Sequence, residues 1–339
     1  MIKLDTAFVG GSIAKVAETA RAAERLGFDG ILTAETSHDP FLPLMIAAEH
    51  TSTIELGTAI AVAFPRSPMI TAHMAWDLQH YSGGRFLLGL GTQVKGHNEK
   101  RFSVPWTAPG PRLRELVESL HAIWSCWQEN APLSYKGRHY QFSLMTPFFN
   151  PGRIEEGRPP IFIAGVNEYM CRLAGELCDG FHIHPLNSTR YLDEVIRPLI
   201  AEGAAKAGRK LEDVTLAAPC FVVMGDTDEQ RENAAAAVRQ QISFYASTRT
   251  YRAVLETHGW EDVGPQLHER SQQGDWSGMA DLITDEMLET FAVIGTRDQI
   301  PGLLKKRFEG RVQRVALYLP FVAGSDDDWW QQVIQTLHA

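Results

Sequence analysis

The chain has 339 residues, of which 44% are hydrophobic, and its formal net charge at neutral pH is −9. This is the composition of an ordinary globular protein with enough chain to bury a large core. The negative net charge argues against a protein that coats nucleic acid, since such a surface needs clustered Lys and Arg. The sequence also lacks the basic amphipathic segment that is typical of binding to a membrane surface.

Short apolar runs alternate with amphipathic helical patterns along almost the whole chain. We predict strands at 2–9, 29–34, 54–63, 85–91, 160–164, 180–184, 214–223 and 314–319. Most of these runs are continuously apolar, which is typical of parallel strands covered on both faces. A strand followed by a helix, repeated about eight times, predicts an α/β fold, a (β/α)8 TIM barrel that forms a single domain over 1–339.

Two connections between the predicted strands are longer than a minimal barrel requires. One, at about 92–159, flanks a long helix and includes a predicted small hairpin and a loop rich in Pro and Gly. The other, at 245–292, holds several short helical pieces between the seventh and eighth strands. Because insertions at the carboxyl face of a barrel usually shape its active site, we expect both to border the site.

Small residues gather at the carboxyl ends of four predicted strands. The third strand is thinned by Gly57, Ala59, Ala61 and Ala63. The other strand ends read LTAET at 32–36, GLGT at 89–92 and FIAGV at 162–166. Packing inside the barrel explains a single small residue at a strand end. Small residues at the ends of four strands instead predict a flat surface of main chain on which a planar ligand can lie.

Two sequence motifs of well-known enzyme classes are incomplete or missing. Gly89 and Gly91 begin a dinucleotide fingerprint, but Val94 occupies the place of the third glycine and no capped helix follows directly. A Rossmann site is therefore not predicted. A Ser-His-Asp hydrolase is not predicted either, because the chain lacks a G-x-S-x-G elbow.

A candidate anion site follows the fifth predicted strand. Ala164, Gly165 and Val166 end the strand, and Asn167 is placed to cap the next helix. Backbone N–H groups at such a helix start attract phosphate, although an ordinary strand-to-helix loop is the alternative interpretation.

Several titratable residues are predicted near the same face. Glu35 and His38 follow the second strand, and Glu35 is either a hydrogen-bond acceptor for a cofactor or a solvated charge. His182 and His184 share one side of the sixth strand, His184 as a candidate site residue and His182 as a candidate core residue. We predict no metal site, because the ends of the first and last strands supply no ligands.

Four cysteines, Cys126, Cys171, Cys178 and Cys220, are scattered without a C-x-x-C pair. We expect them to be reduced and mostly buried thiols of a cytoplasmic protein. No apolar run follows a basic start, so no secretory signal is expected, and no stretch approaches the roughly 20 apolar residues of a membrane span.

Five stretches of the chain are informative together, at 23–35, 51–68, 77–93, 161–181 and 293–306. In content and in order they resemble the bacterial luciferase-like flavin- and deazaflavin-dependent oxidoreductases, and most of all the subgroup that uses coenzyme F420, a 5-deazaflavin. The resemblance implies a luciferase-like barrel that is usually dimeric and holds an isoalloxazine-type ring at its carboxyl mouth. It also implies a non-prolyl cis peptide bond between Ala59 and Ile60.

Cofactor contacts follow from the same resemblance. Those with the ring and ribityl chain map onto Ala34, Glu35, Ala59, Ile60, Gly91, Thr92 and His184. Those with the phosphate map onto Ala164, Gly165, Val166 and Asn167, which agrees with the helix-start argument above.

The chain departs from the family pattern at positions that bear on catalysis. Several deazaflavin dehydrogenases have an Asp-His pair after the second strand, where this sequence has Glu35 and Thr36, with His38 two places on. Val94 stands where sugar-phosphate dehydrogenases of the family carry a catalytic Glu, so their chemistry is not carried over. The candidate acids or bases are His38, Glu35 and His184.

The resemblance implies an oxidoreductase that exchanges a hydride between coenzyme F420 and a small, largely apolar organic substrate. We expect the substrate to lie beneath the helices of 245–292 and an aromatic loop containing Phe148 and Phe149. The first alternative is an FMN-dependent monooxygenase that has the same barrel fold and activates oxygen. The second is a non-catalytic relative that binds the cofactor. A small molecule and a second copy of the chain, as a homodimer, are the expected partners.

Overall fold

The computed structural model describes residues 1–8 and 12–339. The strands are β1 (Lys3–Phe8), β2 (Gly30–Thr33), β3 (Glu55–Thr58), β4 (Ala61–Val62), β5 (Phe86–Gly91), β6 (Tyr135–Lys136), β7 (Gln141–Phe142), β8 (Ile161–Ala164), β9 (Gly180–His182), β10 (Thr215–Met224), β11 (Ala292–Gly295) and β12 (Arg314–Leu317). The first predicted strand is thus found, although its last residue, Val9, lies outside the described residues.

The longer helices surround the strands, and most of the shorter ones lie in the two insertions. They are α1 (Val16–Leu26), α2 (Phe41–His50), α3 (Pro68–Tyr81), α4 (Lys95–Lys100), α5 (Pro109–Glu129), α6 (Glu168–Leu177), α7 (Thr189–Tyr191), α8 (Arg197–Lys206), α9 (Asp228–Ala246), α10 (Arg252–Glu256), α11 (Val263–Gln273), α12 (Trp276–Ala280), α13 (Asp285–Phe291), α14 (Ile300–Phe308) and α15 (Asp327–His338). Within residues 1–8 and 12–339, none of the helices combines the length and the apolar composition that a membrane span requires.

Eight parallel strand positions close into a barrel. The order of pairing is β1, β2, β3, β5, β8, β9, β10 and β12, and β12 pairs again with β1. The predicted strand 54–63 is divided, because β3 ends before Ala59 and β4 resumes the pairing with β5 at Ala61. The peptide bond between Ala59 and Ile60 is cis, as the resemblance implied. The prediction of a (β/α)8 barrel is confirmed.

One strand was not predicted. The first six residues of β10 pair with β9 and β12, whereas its last four, 221–224, pair with β11. β10 is therefore longer than the barrel requires, and β11 pairs with the part that extends beyond the mouth. The run AVIG of β11 is only four residues long and follows a helix directly, so its pattern gives no separate strand signal.

Buried charges fill the amino-terminal end of the barrel. Arg314 donates from Nε to Asp5 Oδ2 at 2.8 Å and from Nη2 to Asp5 Oδ1 at 2.5 Å, and it also bonds Glu55. Lys3 donates to the other oxygen of Glu55 at 2.8 Å. These side chains come from β1, β3 and β12, so they cross-link strands far apart in sequence. They also identify which face of each strand points inward.

Gly89 allows an unusually close approach of two barrel strands. Thr58 Oγ1 donates to the Gly89 carbonyl oxygen at 2.7 Å and accepts from Gly89 N at 2.9 Å. A Cβ atom added at Gly89 would overlap the Thr58 carbonyl oxygen and lie 2.6 Å from His182 Nε2. The absence of a side chain is therefore required by the packing of β3 against β5.

We expect Gly89→Ala to lower the free energy of unfolding by about 1–3 kcal/mol, because the methyl group overpacks against main chain that cannot move freely. Urea denaturation measures this change. The matched control is Gly302→Ala in α14, where nothing lies within 4 Å of the added atom and the substitution should be neutral or slightly stabilising. Equal effects of the two substitutions would contradict this account of the strand contact.

The insertion before β8 does not cover the mouth as expected. The hairpin β6–β7 lies on α5, where Glu115 accepts from the N–H groups of 138–140, and the chain then returns along this helix. Met145, Thr146 and Pro147 border a cavity beside Cys126 near the carboxyl end of α5, far from the mouth at its start. The exposed Phe148 and Phe149 lie in this loop. The prediction that the loop covers the substrate was therefore wrong.

Candidate active site at the barrel mouth

Alternation along the strands shows which residues face the inside of the barrel. A Cβ atom at Gly30 would meet Asp5 and Arg314, and one at Gly89 would meet His182, so these positions point inward. Since every second residue shares a face, five consecutive barrel strands present only small residues inward at the level of the mouth. These residues, which we name the bare arc, are Ala7, Ala34, Ala59, Gly91 and Ala164.

Ala7 gives the clearest sign that space lies in front of the bare arc. Its neighbours Leu4 and Thr6 are buried, and α1 and α15 pack against β1 from outside. Ala7 is nevertheless exposed, although it lies inside a barrel strand. Ala34, Ala59 and Ala164 are half-buried. An exposed alanine on the inner face means that the mouth opens into a cavity floored by main chain, which fits a flat ring.

Glu35 braces the backbone on one side of this cavity. Its carboxylate accepts from Val62 N at 2.7 Å and from Arg66 Nη1 at 2.6 Å, and its side chain is only 8% exposed. Its backbone N–H donates to the Ile60 carbonyl oxygen at 3.0 Å, and Ala59 N donates to Thr33 O at 2.6 Å. Glu35 Oε2 thus accepts the hydrogen bonds from Val62 and Arg66, both in the segment after β3. This geometry supports a positioning role, and contact with a cofactor stays a prediction.

The predicted anion site has the expected helix start. Asn167 caps α6 by accepting from Met170 N at 3.0 Å, and it is exposed together with Glu168 and Tyr169. Tyr191 Oη donates to the Val166 carbonyl oxygen at 3.1 Å and fixes the preceding loop. The acid in the first turn, Glu168, is paired with Arg172 at 2.8 Å. The segment 164–167 therefore lies at the mouth beside the bare arc, in a conformation suited to an anion.

The remaining three barrel strands carry a different lining, which we name the aromatic arc. Its members are His184 and Tyr318, which follow β9 and β12, together with Phe221 of β10, Tyr245 of α9 and Tyr251. The His184 ring stacks on Tyr251 with centroids 4.1 Å apart and meets Tyr245 edge-on at 4.6 Å. Tyr318 packs edge-on against Phe221 at 5.0 Å. The mouth thus has one bare wall and one aromatic wall.

Burial among these rings determines the protonation of His184. It lowers the pKa of the His184 imidazole to about 3, so the ring is neutral at physiological pH. His184 Nδ1 accepts from Leu186 N at 3.1 Å, which leaves the ring proton on Nε2. His182 lies deeper, beside Phe162, and burial lowers its pKa to about 4. Neither histidine supplies a cationic acid near neutral pH.

The three candidate acids or bases do not form one cluster. Glu35 and His38 lie on the connection between β2 and α2, and His38 is exposed. His184 lies in the aromatic arc. Their catalytic roles stay predictions.

Sequence reasoning missed several residues that line or support the mouth. Ala7 and Tyr318 could have been found by continuing the inward alternation from Asp5 and Arg314. Arg66 follows the third strand, but nothing in its neighbours marks it as the partner of Glu35. Tyr245 and Tyr251 belong to the long insertion, where no local pattern indicates which side chains reach the barrel.

Comparison with known proteins agrees with this geometry. Residues 4–314 match the family model described as luciferase-like monooxygenase. An uncharacterised protein of Mycobacterium tuberculosis is 50% identical over 327 residues, 96% of this chain and 95% of that protein. The 5,10-methylenetetrahydromethanopterin reductase of Archaeoglobus fulgidus is 31% identical over 312 residues, 90% of this chain and 87% of the reductase.

The fold is also found among solved structures. The coenzyme F420-dependent tetrahydromethanopterin reductase of Methanopyrus kandleri superposes with a TM-score of 0.79 at 23% identity, over 99% of this chain and 98% of that one. The family resemblance read from the sequence is thus confirmed. By its match over 4–314, the chain belongs to the luciferase-like monooxygenase family.

Proposed function

We propose that the protein is an oxidoreductase that exchanges a hydride between the deazaflavin coenzyme F420 and a small organic substrate at the barrel mouth. The observation that carries the proposal is the bare arc, with Ala7 exposed inside a barrel strand. Similarity to a methylenetetrahydromethanopterin reductase and to the fold of an F420-dependent enzyme supports the choice of coenzyme.

The residues present suit the coenzyme. Ala34, Glu35, Ala59, Ile60, Gly91 and Thr92 would hold the ring and ribityl chain. Ala164, Gly165, Val166 and Asn167 would hold the phosphate. When bound, a 5-deazaflavin supplies two-electron hydride chemistry. The protein contributes the main chain of the bare arc as a flat surface and the segment after β3, which Glu35 holds in place. The aromatic arc excludes water and orients the substrate.

An FMN-dependent monooxygenase is the second candidate, and the description of the matching family favours it. The two candidates differ in their coenzyme and in their use of oxygen. Titration with F420 and with FMN, followed by fluorescence polarisation, measures both dissociation constants. We expect F420 to bind at least ten times more tightly, and reduced FMN with the protein to take up oxygen no faster than reduced FMN alone. Tighter binding of FMN with oxygen uptake would replace the proposal with the second candidate.

We also propose a cytoplasmic homodimer. All four cysteines are buried and free, as expected for a reducing compartment. On the neighbouring helices α2 and α3, Leu42, Met45 and Ile70 are 60%, 43% and 54% exposed. Large apolar side chains grouped on one surface are typical of a protein interface.

We expect Leu42→Glu combined with Ile70→Glu to convert a dimer into a monomer, because two buried charges per subunit would face an apolar partner surface. Light scattering after size-exclusion chromatography gives the mass. The matched control is Leu144→Glu, at an exposed leucine in the loop after β7, outside α2 and α3, which should leave the dimer intact. A wild-type protein that is monomeric at micromolar concentration would contradict the proposed dimer.

A further inference from the structure

The proposed reaction needs a proton donor or acceptor, and the mouth offers one that the sequence did not reveal. Tyr245 Oη and Tyr318 Oη lie 2.6 Å apart, so one hydroxyl donates to the other. Tyr318 follows β12 on the inward face that Arg314 defines, and it is exposed to the mouth. Tyr245 is half-buried behind it. The pair therefore presents a phenol at the boundary between the aromatic and bare arcs, next to Ala7.

Either hydroxyl can be the donor in this hydrogen bond. Burial and the contact with Tyr318 raise the pKa of the Tyr245 phenol far above its usual range, so it keeps its proton. When Tyr245 donates its proton to Tyr318 Oη, the Tyr318 proton is left free to point into the mouth. The neutral His184 meets Tyr245 edge-on and cannot act as a cationic acid.

We infer that Tyr318 is the catalytic proton donor and that Tyr245 positions it. This inference rests on the proposed function, and it gives the substrate class as a carbonyl compound or the corresponding alcohol. A phenol in hydrogen-bond reach of an oxygen suits this task, because alkoxide formation demands a proton as the hydride arrives. The surrounding aromatic rings suit an apolar body attached to that carbonyl.

The step balances in atoms and electrons. When bound, reduced F420 would supply the hydride and its two electrons to the carbonyl carbon, and the oxidised ring would release its remaining N–H proton to water. The π electrons of the C=O bond move to oxygen, which forms an O–H bond with the proton of Tyr318. The resulting phenolate is stabilised by the Tyr245 hydroxyl and regains a proton from water at the exposed mouth. Alcohol oxidation is the same sequence reversed.

The test compares the wild type with Tyr318→Phe, Tyr245→Phe and the control Tyr81→Phe, which removes an exposed hydroxyl at the end of α3 away from the mouth. Binding of F420 is measured first by fluorescence polarisation. Reduction of acetaldehyde, cyclohexanone and benzaldehyde by reduced F420 is then followed through the deazaflavin absorbance. The solvent deuterium isotope effect on kcat reports the proton step separately from the binding of either reactant.

All four proteins should bind F420 equally, and the wild type should reduce at least one of the three carbonyl probes. Tyr318→Phe should lower kcat about 100-fold or more, in the range expected for loss of a general acid. Tyr245→Phe should lower kcat about 10-fold with KM unchanged and alter the isotope effect, which a merely structural role would not do. Tyr81→Phe should match the wild type.

Two results would overturn the inference while leaving the proposed function standing. One is a wild type that binds F420 tightly but reduces none of the three carbonyl probes. The other is a Tyr318→Phe variant that keeps kcat within threefold of the wild type. Failure of the wild type to bind F420 would instead remove the proposed function itself, and with it the role given to Tyr318.

Discussion

Ala7→Leu is expected to raise the dissociation constant for coenzyme F420 at least 100-fold, equivalent to about 2.7 kcal/mol of binding free energy. Ala7 is exposed on the inner face of β1, so a larger side chain there enters the cavity rather than the packed core. The isobutyl side chain of leucine would occupy the space in front of the bare arc. We expect the melting temperature to change by no more than a few degrees, because no packed neighbour is displaced.

Fluorescence polarisation measures the binding, and circular dichroism measures the melting temperature. The control variant is Ala236→Leu, an identical change at an exposed position of α9, which should alter neither quantity. If Ala7→Leu bound F420 as tightly as the wild type, the cavity in front of β1 would not be the place of the ring.

Arg314→Leu is expected to lower the free energy of unfolding by about 3–5 kcal/mol. The Arg314 guanidinium is buried and holds both oxygens of Asp5 as well as Glu55. Without it, Asp5 remains buried in the barrel with another carboxylate as its neighbour, and Lys3 reaches only Glu55. Breaking a buried ion pair by removing one partner costs more than removing both partners, because it leaves an uncompensated charge.

Urea denaturation of the single variants Arg314→Leu and Asp5→Leu and of the double variant forms a thermodynamic cycle. The double variant should be more stable than Arg314→Leu alone, since no unpaired carboxylate is left at position 5. A purely additive loss in the double variant would show that the two side chains act independently.

Sequence patterns predicted the barrel because each strand carries its own signal. The strand predicted at 29–34 is observed as Gly30–Thr33, and the strand at 85–91 as Phe86–Gly91. Continuous apolar runs arise from burial on both faces, which every barrel strand experiences locally. β11 lacks this signal because it pairs only with the projecting end of β10 and is four residues long.

The site was predicted only in part, for a physical reason. Small residues at Ala34, Ala59, Gly91 and Ala164 are visible in the sequence at strand ends, but their shared level is a property of the closed barrel. The aromatic arc depends on contacts between distant segments, such as Tyr245 with Tyr318, which no spacing rule encodes. The loop with Phe148 was misplaced because the hairpin before it turns back along α5.

The central expectation for this protein is that a planar redox ring lies against the main chain of the bare arc. A crystal structure of the protein with bound F420 tests it most directly. We predict that the ring contacts the backbone at Ala34, Ala59 and Gly91, with no side chain between ring and strand. A ring bound elsewhere, with the cavity in front of Ala7 left empty, would contradict the account.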